Sequence, residues 1–99
     1  MVSNHADIFF EHGEFVLSGD LDFQNVLSVF EKGLKQFNSQ RELVFNFAGL
    51  KTSNSAAIAL MVEWLKRAKQ QNKTIQFRNV SPQLQSIAKA AGLEKIILY

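Results

Sequence analysis

Cysteine is absent from the 99 residues, which excludes a disulfide framework, a thiol nucleophile and a thiolate metal site. That absence is compatible with a reducing compartment. An excess of one charge is also missing: eleven Lys and Arg against nine Asp and Glu leave a net charge of +2, too little to point to nucleic acid. The longest nearly uncharged apolar run, Ser55 to Val62, is far too short to span a bilayer, so no direct membrane insertion is expected. MVSNHADIFFEHGEFVL, the first stretch, lacks a basic head followed by an apolar run, so no signal peptide is expected.

The usual motifs of chemistry are missing too. No G-x-G-x-x-G and no glycine-rich loop ending in Lys-Ser or Lys-Thr is present, so the common nucleotide cradles are lacking. No serine lies in a G-x-S-x-G elbow, and the two histidines, His5 and His12, are both early; a Ser-His-acid triad finds little support. For a metal site they would have to converge with Asp7 or Glu11, in a segment that reads as tail and turn, and surface histidines are the simpler account. Glu11, Glu14, Asp20 and Asp22 could pair as acid and base, but Asp20 and Asp22 are better explained as turn and cap residues. The sequence therefore reads as non-enzymatic, with no catalytic residue, cofactor or metal.

What is present is the material of one globular domain, residues 1–99. The apolar fraction is 46% and nine phenylalanines carry most of the aromatic content, so disorder is excluded. A chain of this size hides roughly 65% of its extended surface. Ile8 to Phe10 and Phe15 to Leu17 read as two short strands joined at His12-Gly13. Phe23, Val26, Leu27, Phe30, Leu34 and Phe37 recur at three- and four-residue spacing, which predicts a core-facing amphipathic helix capped by Asp20 or Asp22 and ended at Asn38-Ser39. Alternation from about Glu42 to Phe47 predicts a third strand. A second helix follows from about Ser55 to Gln71, with Ile58, Met61, Val62, Leu65 and Ala68 as its core stripe, and Lys66, Arg67, Lys69 and Lys73 complement its C-terminus. Thr74 to Arg78 alternates as a fourth strand with one covered and one partly wet face. Ser81-Pro82 starts a third helix that buries Leu84, Ile87, Ala88 and Ala91, and Gly92 ends it. Ile96 to Leu98 is expected as a last short strand. The order is β-β-α-β-α-β-α-β, an α/β fold whose right-handed crossovers imply a mixed, mostly parallel sheet.

The most informative stretch is Leu43 to Leu65, where a strand runs through a polar loop into a helix. Thr52, Ser53, Asn54 and Ser55 are all good N-cap types, and a helix start at a sheet edge offers free amides and partial positive charge. Plain capping explains the Ser53-Asn54-Ser55 turn; a docking or phosphorylation point at Ser55 explains it as well. Two readings also stand for the flank of this helix. Trp64 covers the core edge, or Ala56, Ala57, Leu60 and Trp64 form an apolar track leading from Ser55 to a partner.

The element order together with FNFAGLKTSNSAAIALMVEWL resembles the STAS domain, the fold of anti-sigma-factor antagonists such as SpoIIAA. In that family a strand ends in a loop carrying Asp-Ser/Thr-x-Gly-Leu at a helix start; here Asn54, Ser55, Ala56, Ala57 and Ile58 match. Asn54 stands where the family has aspartate and Ala57 where it has glycine. SGDLDFQNV, AIALMVEWLKRAKQQ and IQFRNVSPQLQSIAKAAGLEKIIL are similar to the small stand-alone STAS subunits of Mla phospholipid-transport ABC systems. The resemblance implies a cytoplasmic, non-enzymatic protein, peripheral to the inner membrane, that binds an ABC transporter ATPase subunit in a complex maintaining outer-membrane lipid asymmetry. It places the docking surface at Ser53, Asn54, Ser55, Ala56 and Leu60. The rival implication is an anti-sigma-factor antagonist switched by phosphorylation of Ser55. Apart from the resemblance, the attraction of helix N-termini for phosphates leaves a third reading, a small nucleotide-binding or enzymatic domain.

Overall fold

The computed structural model describes residues 5–37, 40–52 and 54–97, with the side chains of 96 and 97 left aside. The chain forms β1 (Ala6–Glu11), β2 (Glu14–Asp20), α1 (Val26–Leu34), β3 (Glu42–Thr52), α2 (Ser55–Gln70), β4 (Thr74–Arg78), α3 (Pro82–Ala90) and a single turn, α4 (Glu94–Ile97). The four strands lie in the order β1-β2-β3-β4. β1 pairs antiparallel with β2, whereas β2–β3 and β3–β4 are parallel.

His12 and Gly13 both take positive φ, 51° and 81°, the backbone that a tight hairpin with correct strand twist requires. Each parallel pair needs a helical crossover of one hand, and the strands advance in one direction, so α1 and α2 cover the same face of the sheet and run parallel to each other. That face carries a row of rings. Phe10, Phe15, Phe45 and Phe77 contact in sequence across the four strands, with centroids 5.1, 4.7 and 5.9 Å apart. Trp64 of α2 lies flat on Phe45 at 4.1 Å, and Phe37 fills the space beside Phe15 and Phe45. Offset ring pairs of this kind add about 0.5–1.5 kcal/mol each beyond area burial.

Helix ends follow their local chemistry. Ser81 Oγ accepts from the Leu84 N–H at 3.1 Å, with Pro82 in the first turn of α3. Both α2 and α3 close with paired bonds of the Schellman type: Lys73 N–H to Ala68 O and Asn72 N–H to Lys69 O for α2, Leu93 N–H to Ala88 O and Gly92 N–H to Lys89 O for α3. The left-handed residues these closures need are Asn72 and Gly92, at φ 55° and 73°.

Three expectations change. Residues 94–97 are helical, not the start of a strand; the α3 closure turns the chain back on the helical layer, where α4 packs against α2 and α3, and Leu98 lies outside the described residues. Strand β3 runs on to Thr52 because its second half keeps pairing with β2 across register shifts near Val16–Ser18 and Gly19–Asp20. Gly19 sits at such a shift with φ 89°, and His5 O stands against the place a Cβ would take.

The third change is the rotation of α1. Its buried residues are Val29 and Gly33, while Phe23 and Leu27 are 64% and 63% exposed. Trp64 sets this rotation: a Cβ on Gly33 would lie 2.9 Å from the indole Cζ2, so only glycine lets α1 come this close. The helix also ends sooner than expected, at Leu34 with Lys35 as its C-cap, and Asn38-Ser39 lies outside the described residues.

Candidate functional site

The carboxyl ends of β2 and β3 meet at one rim of the sheet, and α2 begins there. Thr52 donates its hydroxyl hydrogen to Asp20 Oδ1 at 2.6 Å, and the Leu21 N–H donates to Thr52 O at 3.1 Å. These bonds fix the last residue of β3 before the loop. Asn54 takes extended backbone as N-cap, and its Oδ1 accepts from the Ala56 N–H at 2.8 Å. The amide that stands in place of the family carboxylate thus caps the helix itself. No acidic residue occupies the first turn of α2, so the partial positive charge of that end is not offset from within the turn. Opposite, Asp22 and Asn25 brace the turn before α1: Asp22 Oδ1 accepts from the Gln24 and Asn25 N–H groups, and Asn25 Oδ1 accepts from the Asp22 N–H.

The sequence-predicted site divides by burial. Asn54 and Ser55 are exposed at the rim, and Ser53 lies outside the described residues. Ala56 is fully buried and Leu60 is 2% exposed. Ala57 and Trp64 are fully buried too, so the track from Ala56 to Trp64 is core and not an exposed partner surface. The physical reason is that α2 is the central helix of the layer, in contact with α1, α3, α4 and β4. Its buried stripe therefore widens to take in Ala57, Leu60 and Trp64 beside Ile58, Met61 and Ala68.

Leu60 still matters to the surface, as the floor of a groove of about 280 Å³ between α1 and α2. Val26, Leu27 and Phe30 form one wall, Ala59 and Glu63 the other. Sequence reasoning assigned Leu27 to the core and so missed this groove, whereas Val26 and Phe30 in its wall do pack against the core as expected. Gly33 was the available signal, a residue without side chain at the centre of an otherwise apolar stripe. A second depression, about 480 Å³ and lined by Arg41, Glu42, Gln71, Asn72, Lys73 and Thr74, lies at the opposite end of the sheet. There the Lys73 ammonium donates to the carbonyls of Phe37 and Gln40, so it ties down the chain after α1. Among the described residues no cluster of three or more His, Cys, Asp and Glu is present, and no helix is long and apolar enough to cross a membrane.

The sequence model of the family described as "Mlab, STAS domain" matches residues 5–99. The chain belongs to this STAS family. No curated protein matches it. Among solved structures, this STAS domain is similar to a chain of the Acinetobacter MlaFEDB complex in an ATP-bound conformation, with 27% identity, 99% of this chain and 100% of that chain covered, and a TM-score of 0.79. The anti-sigma factor antagonist SpoIIAA shares the fold. Its unphosphorylated form aligns over 97% of this chain and 86% of its own at 18% identity and a TM-score of 0.70. The phosphorylated Bacillus form aligns over 97% and 89% at 16% identity and a TM-score of 0.65. The mixed α/β fold with one antiparallel and two parallel strand pairs is thus the STAS fold.

Proposed function

We propose that this STAS domain is a non-catalytic subunit that binds the ATPase of a phospholipid-transporting ABC complex and supports its activity. In this reading it works at the cytoplasmic face of the inner membrane, in the system that keeps outer-membrane lipids asymmetric. The observation that carries the reading is the end-to-end likeness to a chain of an ATP-bound MlaFEDB complex. The rim supports it: Asn54 and Ser55 are exposed there on a base fixed by the Thr52–Asp20 bond, with the Ala56 and Ala57 amides already capped by Asn54, which suits a protein contact better than chemistry.

The experiment is co-purification of the chain with the ABC ATPase of its own organism, comparing the parent with Ser55→Arg. Ser55 is exposed, so the variant keeps its fold and loses the complex. A Ser55→Arg protein that binds the ATPase as tightly as the parent places the contact elsewhere. One observation favours a second reading, an anti-sigma-factor antagonist. Ser55 opens α2 with no acid in the first turn, where a phosphate meets a favourable dipole. Stoichiometric phosphate on Ser55 in an intact-mass spectrum, after incubation with a partner serine kinase, would promote that reading.

A further inference from the structure

The arm that carries the chain into α2 hangs on one neighbour. β3 pairs with β4 no further than Asn46 opposite Arg78, yet it runs on to Thr52 with β2 beside it. Ala48, Gly49, Lys51 and Thr52 on this arm are exposed. Its ladder to β2 shifts register twice, between Val16 and Ser18 and between Gly19 and Asp20. A one-sided ladder interrupted in this way supports its tip less than a two-sided one and twists it more. The direction of the tip therefore depends on what holds its last residue.

Asp20, expected as a turn or cap residue, holds it. The Asp20 N–H donates to His5 O at 2.7 Å, and the Asp20 carbonyl accepts from Asn25 Nδ2 at 2.8 Å. The residue is thus tied to the chain before β1 and to the entry of α1, and Leu21 beside it is buried. From this fixed post the carboxylate accepts the Thr52 hydroxyl at 2.6 Å. In sequence only Ser53 and Asn54 separate Thr52 from Ser55, the first residue of α2. Asp22 faces another way, its Oδ1 accepting from the Gln24 and Asn25 N–H groups before α1.

We propose that Asp20 is the positioning residue of the docking rim: its side chain fixes Thr52, and with it the place at which Ser55 meets the ABC ATPase. The inference rests on the function proposed above and adds the residue that orders its surface in advance. A loop ordered before contact loses less entropy on binding, so releasing it should weaken the complex about tenfold.

The test is surface plasmon resonance of the full chain against the ABC ATPase. Asp20→Ala and Thr52→Val each delete one half of the bond and leave the backbone bonds of both residues in place. Each should weaken binding about tenfold, and the double variant should be no weaker than either single one. Asp20→Asn and Thr52→Ser keep an acceptor and a donor, and should bind within about twofold of the parent. Amide exchange across residues 49–52 should rise in Asp20→Ala. A side chain that merely stabilised the fold would lower the melting temperature and leave the affinity of the folded chain unchanged, and that result overturns the proposal. So does additivity of the two single losses. An equal loss in Asp20→Asn and Asp20→Ala overturns it too, because Asp20 would then be a direct charge contact with the partner. If the parent itself does not bind the ATPase, the proposed function falls and this inference with it; if the parent binds and Asp20→Ala binds equally well, only this inference falls.

Discussion

Replacing Gly33 by alanine sets two effects of opposite sign against each other, and the structure decides between them. In an open helix the change would stabilise by about 1 kcal/mol, the intrinsic preference of alanine over glycine. Here the new Cβ would stand 2.9 Å from Trp64 Cζ2 and 3.1 Å from both Cε2 and Nε1. The indole cannot swing aside, because it stacks on Phe45 at 4.1 Å and is fully buried. Overpacking a tight core costs about 1–3 kcal/mol, so the net expectation is a loss of about 1 kcal/mol. For a domain of this size that lowers Tm by about 4–8 °C. Urea unfolding monitored by circular dichroism gives the value, and a double-mutant cycle with Trp64→Phe gives its cause. On the Trp64→Phe background the obstructing atoms are gone, and Gly33→Ala should become neutral or stabilising. If Gly33→Ala stabilises the parent, or costs the same on both backgrounds, the contact with Trp64 does not set the position of α1.

Asn54→Ala removes the side chain that caps α2 and should cost about 1 kcal/mol, read from thermal unfolding, whereas Asn54→Asp should retain the cap. Leu60→Ala, in a buried position, should cost about 2–5 kcal/mol. By contrast Leu27→Asp on the exposed wall should change stability by less than about 0.5 kcal/mol, and equal losses at the two sites would contradict the assigned rotation of α1. The hydrogen bond from Lys32, then the Ile8 N–H, holds the Asp7 carboxyl below its usual value. A carboxylate lowered in the folded state adds stability above its unfolded pKa, and that contribution disappears as pH falls through the folded one. The pair is exposed on both sides, so solvent screening limits it to less than about 0.5 kcal/mol. Asp7→Asn should therefore be slightly weaker than the parent at neutral pH and equal to it in strong acid. A carboxyl NMR titration of Asp7 that shows no lowering would remove the basis for this.

Local punctuation was legible in the sequence where one residue type has one job. His12-Gly13, Ser81-Pro82 and Gly92 mark a hairpin, a helix start and a helix stop, and each acts as its chemistry requires. Strand β4 was legible because a half-covered strand alternates strictly. The rotation of α1 was not. Spacing of three and four residues fits two adjacent helix faces, and the residue that chooses between them, Gly33, has no hydropathy to report. The final apolar triplet was ambiguous because a short run carries no period; its outcome depended on where the α3 closure aims the chain. At the rim, the exposure of Asn54 and Ser55 followed from their type, whereas burial of Ala56 and Leu60 followed from α2 being central, which only packing shows. The groove came from a pairing of helices and left no motif.

Because both crossovers turn the same way, every helix sits on one side of the sheet and the reverse side is bare. It is spanned by a chain of polar contacts: Arg78 to Glu14 at 2.8 Å, Asn46 to the same carboxylate at 3.4 Å, and Asn79 to Asn46 at 3.0 Å. The polar positions there bear no core, so substitutions among them are tolerated better than at the half-buried Val16 and Val44 on the same face. Any affinity tag, fluorophore or solubilising charge that an engineer wishes to add belongs on that back wall, away from Ser55.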